Sequence, residues 1–134
     1  MAVIKLTKTY NAPKEAVWKH LVDDELLSKW CMPCNGFALE VGQKFDFNIP
    51  PNAFFGGVFN NTVADFSEFS YLSYKCTAHK PKLDTMVKWE LTETDGKTTL
   101  SLEHSGFRGS QFMTKVMLKS GWKKMMDKHL EAVL

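Results

Sequence analysis

The sequence predicts an α+β fold in which a curved, seven-stranded antiparallel sheet wraps a long C-terminal helix, with two short helices between the first and second strands. Three observations carry this prediction. Apolar and polar residues alternate with a period of two through most of the stretch from Phe37 to Gly106, the signature of strands with one buried face. From Ser120 to Leu134 the period changes: Trp122, Met125, Met126, His129, Leu130 and Val133 fall within one arc of a helical wheel, and Lys124 and Lys128 lie opposite. A terminal helix carrying a Trp and two Met on its buried stripe needs a broad apolar partner, and the aromatic strands ahead of it supply one.

Each element follows in order. Val3, Ile4 and Leu6 alternate with Lys5, Thr7 and Lys8 up to Tyr10, a first strand that ends at Asn11-Ala12-Pro13, where Asn suits a cap and Pro a first helical turn. Ala16, Val17, His20 and Leu21 recur at helical spacing. Asp23-Asp24-Glu25 then places negative charge at the start of a second short helix through Leu26, Leu27 and Trp30, which Pro33 and Gly36 end. Strands are predicted over Phe37 to Val41 and Phe45 to Ile49, separated by a turn at Gly42. Pro50, Pro51 and Asn52 open a loop, and Gly56-Gly57 leads into a strand from Val58 to Phe66. Further strands run from about Phe69 to Thr77, from Met86 to Thr94 and from Lys97 to Ser105, the last two joined by an Asp95-Gly96 hairpin turn. From Phe107 to Lys119 the residues do not share the stripe of the final helix, so a loop or helical turns with a bend near Ser120-Gly121 are expected.

A length of 134 residues suits a single domain, 1–134, with no linker, repeat or low-complexity segment. An aromatic content of 13%, including 10 Phe and 4 Trp, suits a core or cavity walled by rings. Seventeen basic against 15 acidic residues is too even a balance for a nucleic-acid or membrane-surface partner, and the lysines of the last helical region read as a solvated face. Neither a signal peptide nor a membrane span is evident, so a cytoplasmic protein with free thiols is expected.

Several short motifs occur in a telling order: Ala12-Pro13 then Val17-Trp18, Leu26-Leu27 then Trp30 and Pro33, Gly57-Val58, His104-Ser105-Gly106-Phe107 and Gly121-Trp122. Together with the element order they resemble the family named for activators of the Hsp90 chaperone's ATPase, within the START and birch-pollen-allergen (Bet v 1, SRPBCC) superfamily. Cys31 departs from the pattern, standing where many members have a second Trp. The resemblance implies the helix-grip fold, with a ligand cavity between sheet and terminal helix. It also implies three functional classes: a binder of hydrophobic or aromatic small molecules, a chaperone-interacting protein of the stress response, or a cyclase or hydrolase that uses the same cavity.

The inward parity of the strands places Phe45, Phe47, Tyr74, Val87, Trp89, Leu91, Leu100 and Leu102 toward such a cavity. Phe107 closes the last strand, Trp30 comes from the helix pair, and Trp122, Met125 and Met126 come from the terminal helix. The same residues can instead pack on one another and leave a solid core. His104 shares the inward parity, which suits it either to a polar ligand group or acid/base chemistry, or to a satisfied structural hydrogen bond. Tyr74 carries the same ambiguity, and His129 is expected to pack. Arg108, in a loop at the expected cavity mouth, is either a contact for an anionic ligand group or an ordinary surface residue.

Cys31-x2-Cys34 and Cys76-x2-His79 offer the donor set of a zinc site, but in a meander they lie three strands apart, roughly 14 Å at about 4.8 Å per strand. No metal, cofactor or catalytic residue is therefore assigned. No nucleophile elbow, phosphate loop or dinucleotide fingerprint occurs. Monomer and homodimer both remain compatible with an exposed sheet edge.

Overall fold

The computed structural model describes residues 2–50 and 55–134. Pro51 and Asn52 of the expected loop lie outside these residues. Strands β1 (Ala2–Tyr10), β2 (Cys34–Asn35), β3 (Lys44–Asn48), β4 (Val58–Ser67), β5 (Tyr71–His79), β6 (Lys82–Thr94) and β7 (Lys97–Phe107) form one sheet in the order β1-β7-β6-β5-β4-β3-β2, every pair antiparallel. Helices α1 (Lys14–Lys19) and α2 (Asp24–Trp30) connect β1 to β2, and α3 (Phe112–Lys124) begins the terminal helix. The helix-grip fold is as expected.

Alternation makes the strands. In β6, Leu83, Thr85, Val87, Trp89 and Leu91 are buried on one face, while Asp84, Met86, Lys88 and Glu90 are exposed on the other. The β6–β7 turn is Asp95-Gly96 with positive φ at both positions (54° and 76°), the mirror-image turn that matches strand twist. The β6 strand begins at Lys82, four residues before the expected start at Met86.

The second strand is not where alternation placed it. Phe37 to Val41 forms bends and turns, and the strand is the short pair Cys34–Asn35 opposite Phe47 and Asp46. Asp24 is the reason. Its carboxylate accepts from the backbone N–H groups of Gly36 (3.1 Å) and Phe37 (2.9 Å) and from the Cys34 thiol (3.1 Å), so the donors that a strand would offer its neighbour are already engaged. Asp23, one residue earlier, caps α2 by accepting from the Leu26 N–H.

The terminal helix also starts earlier than expected. A single 3₁₀ turn at Gly109–Gln111 leads into α3 at Phe112, and the helix passes through Ser120-Gly121 without the expected break. Instead it widens to π-helical geometry over Met125–Leu130 before a last turn at Glu131–Val133. The buried residues are Trp122, Met126 and Leu130, spaced by four. On a regular helix two steps of four drift by about 80° from the first residue, and the wider turn offsets that drift. The same phase change turns His129 out to the surface, so its expected packing is corrected. The Tyr10 hydroxyl donates to the Met126 carbonyl (2.7 Å), tying the widened turn to the end of β1.

Gly106 has no partner in β1, where Ala2 pairs with Phe107 and Val3 with Ser105. This bulge reverses the parity of β7, so Phe107 turns inward behind His104, ring centroids 4.7 Å apart. Gly106 has φ +99°, and a Cβ there would lie 3.2 Å from the Asp84 carbonyl oxygen. Gly106→Ala is therefore expected to cost about 1–3 kcal/mol in chemical denaturation, the usual penalty for forcing a side chain into such backbone. A variant as stable as the parent would show that the bulge relaxes freely.

Candidate ligand cavity

Between the terminal helix and the concave face of β3 to β7 lies a cavity of ≈ 320 Å³ with almost entirely apolar walls. Of the sequence-predicted residues, Phe47, Tyr74, Val87, His104, Trp122 and Met125 line it. Trp30, Phe45, Trp89, Leu91, Leu100, Leu102, Phe107 and Met126 do not; they form the packed core beside it. That core is a run of edge-to-face rings: Trp30 on Trp89 (5.9 Å), Trp89 on Trp122 (5.5 Å) and Phe45 on Tyr74 (5.0 Å). Arg108 is exposed and lines no part of the cavity.

Sequence reasoning did not place Cys31, Met32, Ile49, Phe55, Phe59, Asn61, Met117, Leu118, Gly121, Lys124 and His129 in the wall. For Phe59 and Asn61 the signal existed, because both share the inward parity of β4. For Met117 and Leu118 it was hidden by the expectation of a loop or helical turns before a bend near Ser120-Gly121, whereas α3 runs straight through. Cys31 and Cys76 line the cavity, Cys34 is held by Asp24, and His79 is exposed at the end of β5. Among the described residues no cluster of His, Cys, Asp or Glu is arranged to hold a metal ion. Burial pushes the Cys76 thiol up to about 12 and raises Cys31 well beyond its ordinary range, so both stay protonated and poorly nucleophilic.

His104 is fixed by its neighbours. The Trp122 indole N–H, which can only donate, gives its hydrogen to Nδ1 (3.1 Å). The imidazole proton therefore sits on Nε2 and is donated to Thr85 Oγ1 (2.8 Å), whose own hydrogen goes to the Cys76 carbonyl (2.8 Å). Both ring nitrogens are used, and burial lowers the pKa from 6.5 to about 4. A neutral imidazole with no free nitrogen is a poor proton carrier. The Tyr74 hydroxyl accepts from Trp89 Nε1 (3.1 Å), and burial raises its pKa well above the ordinary phenol value.

Asn61 is the polar exception in the wall. It is 2% exposed, its Nδ2 donates to the Phe59 carbonyl (3.2 Å), and its Oδ1 has no hydrogen-bond partner among the described residues.

The depressed pKa of His104 has a consequence for stability. The unfolded chain takes up a proton near pH 6.5 and the folded one only near pH 4, so stability is fully present above pH 6.5 and falls as the pH drops toward 4. The loss attributable to this residue is about 3 kcal/mol at most. Thermal and denaturant melts between pH 7 and 4 are expected to show a shallower decline in His104→Gln than in the parent. An identical decline in the variant would mean that His104 is not the buried titrating group.

The comparisons with known proteins agree with this architecture. The family profile described as "Activator of Hsp90 ATPase homolog 1-like protein" matches residues 11–134. A protein of Mesorhizobium loti has a similar structure (TM-score 0.87, 27% identity, 98% of this chain and 95% of that one). So do a Bacillus halodurans protein (TM-score 0.82, 22% identity, 99% and 96%) and the Aha1 dimer from Colwellia psychrerythraea (TM-score 0.75, 16% identity, 94% and 91%). At the lower identities the likeness concerns the fold alone. No curated protein matches the sequence. A profile match across nearly the whole chain places this protein in the family of Activator of Hsp90 ATPase homolog 1-like proteins.

Proposed function

We propose that this protein binds a hydrophobic or aromatic small molecule in the cavity between the sheet and the terminal helix. The observation that carries the proposal is the ≈ 320 Å³ apolar space left open beside a closely packed aromatic core. That volume lies at the lower end of the range for small-molecule sites, roughly 300–1,000 Å³. Phe47, Tyr74, Trp122 and Met125 supply rings and a flexible thioether for a flat guest. The residues of the packed core act through these walls, by holding them in place.

The chemistry of the wall favours a binder over an enzyme. Both nitrogens of His104 are committed, the thiols are held protonated, and no carboxylate lines the cavity among the described residues. A cyclase or hydrolase would need a proton carrier deep in the cavity, and the remaining titratable groups of the lining, Lys124 and His129, are exposed at its rim. Contact with a chaperone is the second reading. Its support is the exposed apolar cluster of Phe112, Met113 and Val116 on α3, together with the family's printed description. A stress-response role would follow from that second reading. The three free thiols suit a reducing compartment such as the cytoplasm. The free edge of β1, with a dimeric relative, leaves room for a homodimer beside the monomer.

Gly121 gives a test that does not weaken the fold. It lies in the cavity wall, and a Cβ built on it meets nothing within 4 Å. Gly121→Leu adds a bulky apolar side chain at this exposed edge of the wall, where it is expected to narrow the cavity and to stabilise the helix by about 1 kcal/mol through propensity alone. Native mass spectrometry of gently purified parent protein should show an added organic mass of a few hundred daltons, absent from the variant. An equal added mass on both would move the bound molecule out of this cavity. Parent protein that takes up no apolar compound would favour the chaperone reading.

A further inference from the structure

We infer that the molecule held in this cavity is an apolar monocarboxylate, its ring or chain enclosed and its carboxylate at the rim against Lys124 and His129. The inference rests on the cavity reading above and specifies the head group. Lys124 and His129 both line the cavity, both are exposed, and neither side chain makes a hydrogen bond or ion pair among the described residues. Charges on this helix are sorted. Asp127 is held by Lys123 (2.6 Å) and Glu131 by Lys8 of β1 (3.0 Å), so the nearby acids are engaged with other cations.

No Asp or Glu lines the cavity among the described residues. A neutral guest could take only an ordinary hydrogen bond from this rim, whereas a cationic one would be repelled by Lys124. A carboxylate gains a partner while staying in water, which avoids the large cost of burying a charge. The apolar wall then accounts for the rest of the molecule. The size of the cavity limits the guest to a compact skeleton such as a fused aromatic acid.

The test compares 2-naphthoate with 2-naphthylmethanol, which share a skeleton and differ in charge, by titration calorimetry at low salt. The naphthoate is expected to bind about fivefold more tightly, the effect of one partly screened ion pair. That preference should shrink at high salt and vanish in Lys124→Gln/His129→Gln, whose substitutions lie at exposed positions and should leave the melting temperature unchanged. Equal affinities in the parent protein, or a preference that survives in the double variant, would overturn the inference while leaving the cavity reading intact. Failure of both compounds to bind would overturn the two together.

Discussion

A thread of three buried hydrogen bonds holds the terminal helix to the sheet. It runs from the Trp122 indole to His104 on β7, from His104 to Thr85 on β6, and from Thr85 to the Cys76 carbonyl on β5. Each donor and acceptor is consumed in turn, so His104 is buried without an orphaned group. The thread sets the height of the helix above three adjacent strands, and the ring stack Trp30–Trp89–Trp122 then packs at that spacing. At the other end Tyr10 takes the Met126 carbonyl, and Leu130 is fully buried. The helix is therefore fixed at two points along its length, and the wall formed by Met117, Leu118 and Gly121 spans the cavity before the first.

Much of this was legible in the residues. Inward parity found Tyr74, Val87 and His104, because a strand paired on both sides has little freedom to turn over. The Asp95-Gly96 hairpin was legible for the same local reason. What parity could not show was competition for backbone donors. Phe37, Leu39 and Val41 alternate as a strand does, yet Asp24 binds the N–H groups of Gly36 and Phe37, and a side chain thirteen residues away overrules the pattern. Helical periodicity failed in a related way at His129. A wheel at 100° per residue assumes regular turns, and the widened stretch over Met125–Leu130 breaks that assumption with no Pro or Gly within it to announce the change.

The division between wall and core was the least legible feature. Trp89 and Leu102 share the inward parity of Val87 and His104, and nothing in their spacing separates the two pairs. The separation comes from where the helix crosses. Trp89 is covered by Trp30 on one side and Trp122 on the other, so it belongs to the core, and Val87, two residues away, faces open space.

Three local choices work against stability, and they meet in this one cavity. Gly121 sits inside a helix, where Ala would be better by about 1 kcal/mol. Asn61 buries an oxygen with no partner among the described residues, at a cost of about 1–3 kcal/mol. The space itself forgoes the contacts that close packing would supply. Elsewhere the chain follows the rules closely: Asp23 caps its helix, the hairpin uses Asp-Gly, and the His104 thread is saturated. Exceptions occur elsewhere too, as at Phe69 with its φ of 64°, but three that meet in one cavity support the binding reading proposed above. A Cβ at position 121, an exposed position beside the cavity, meets nothing within 4 Å, so packing does not forbid a larger side chain there. An apolar space left open beside a position that tolerates a larger side chain supports the binding role proposed above.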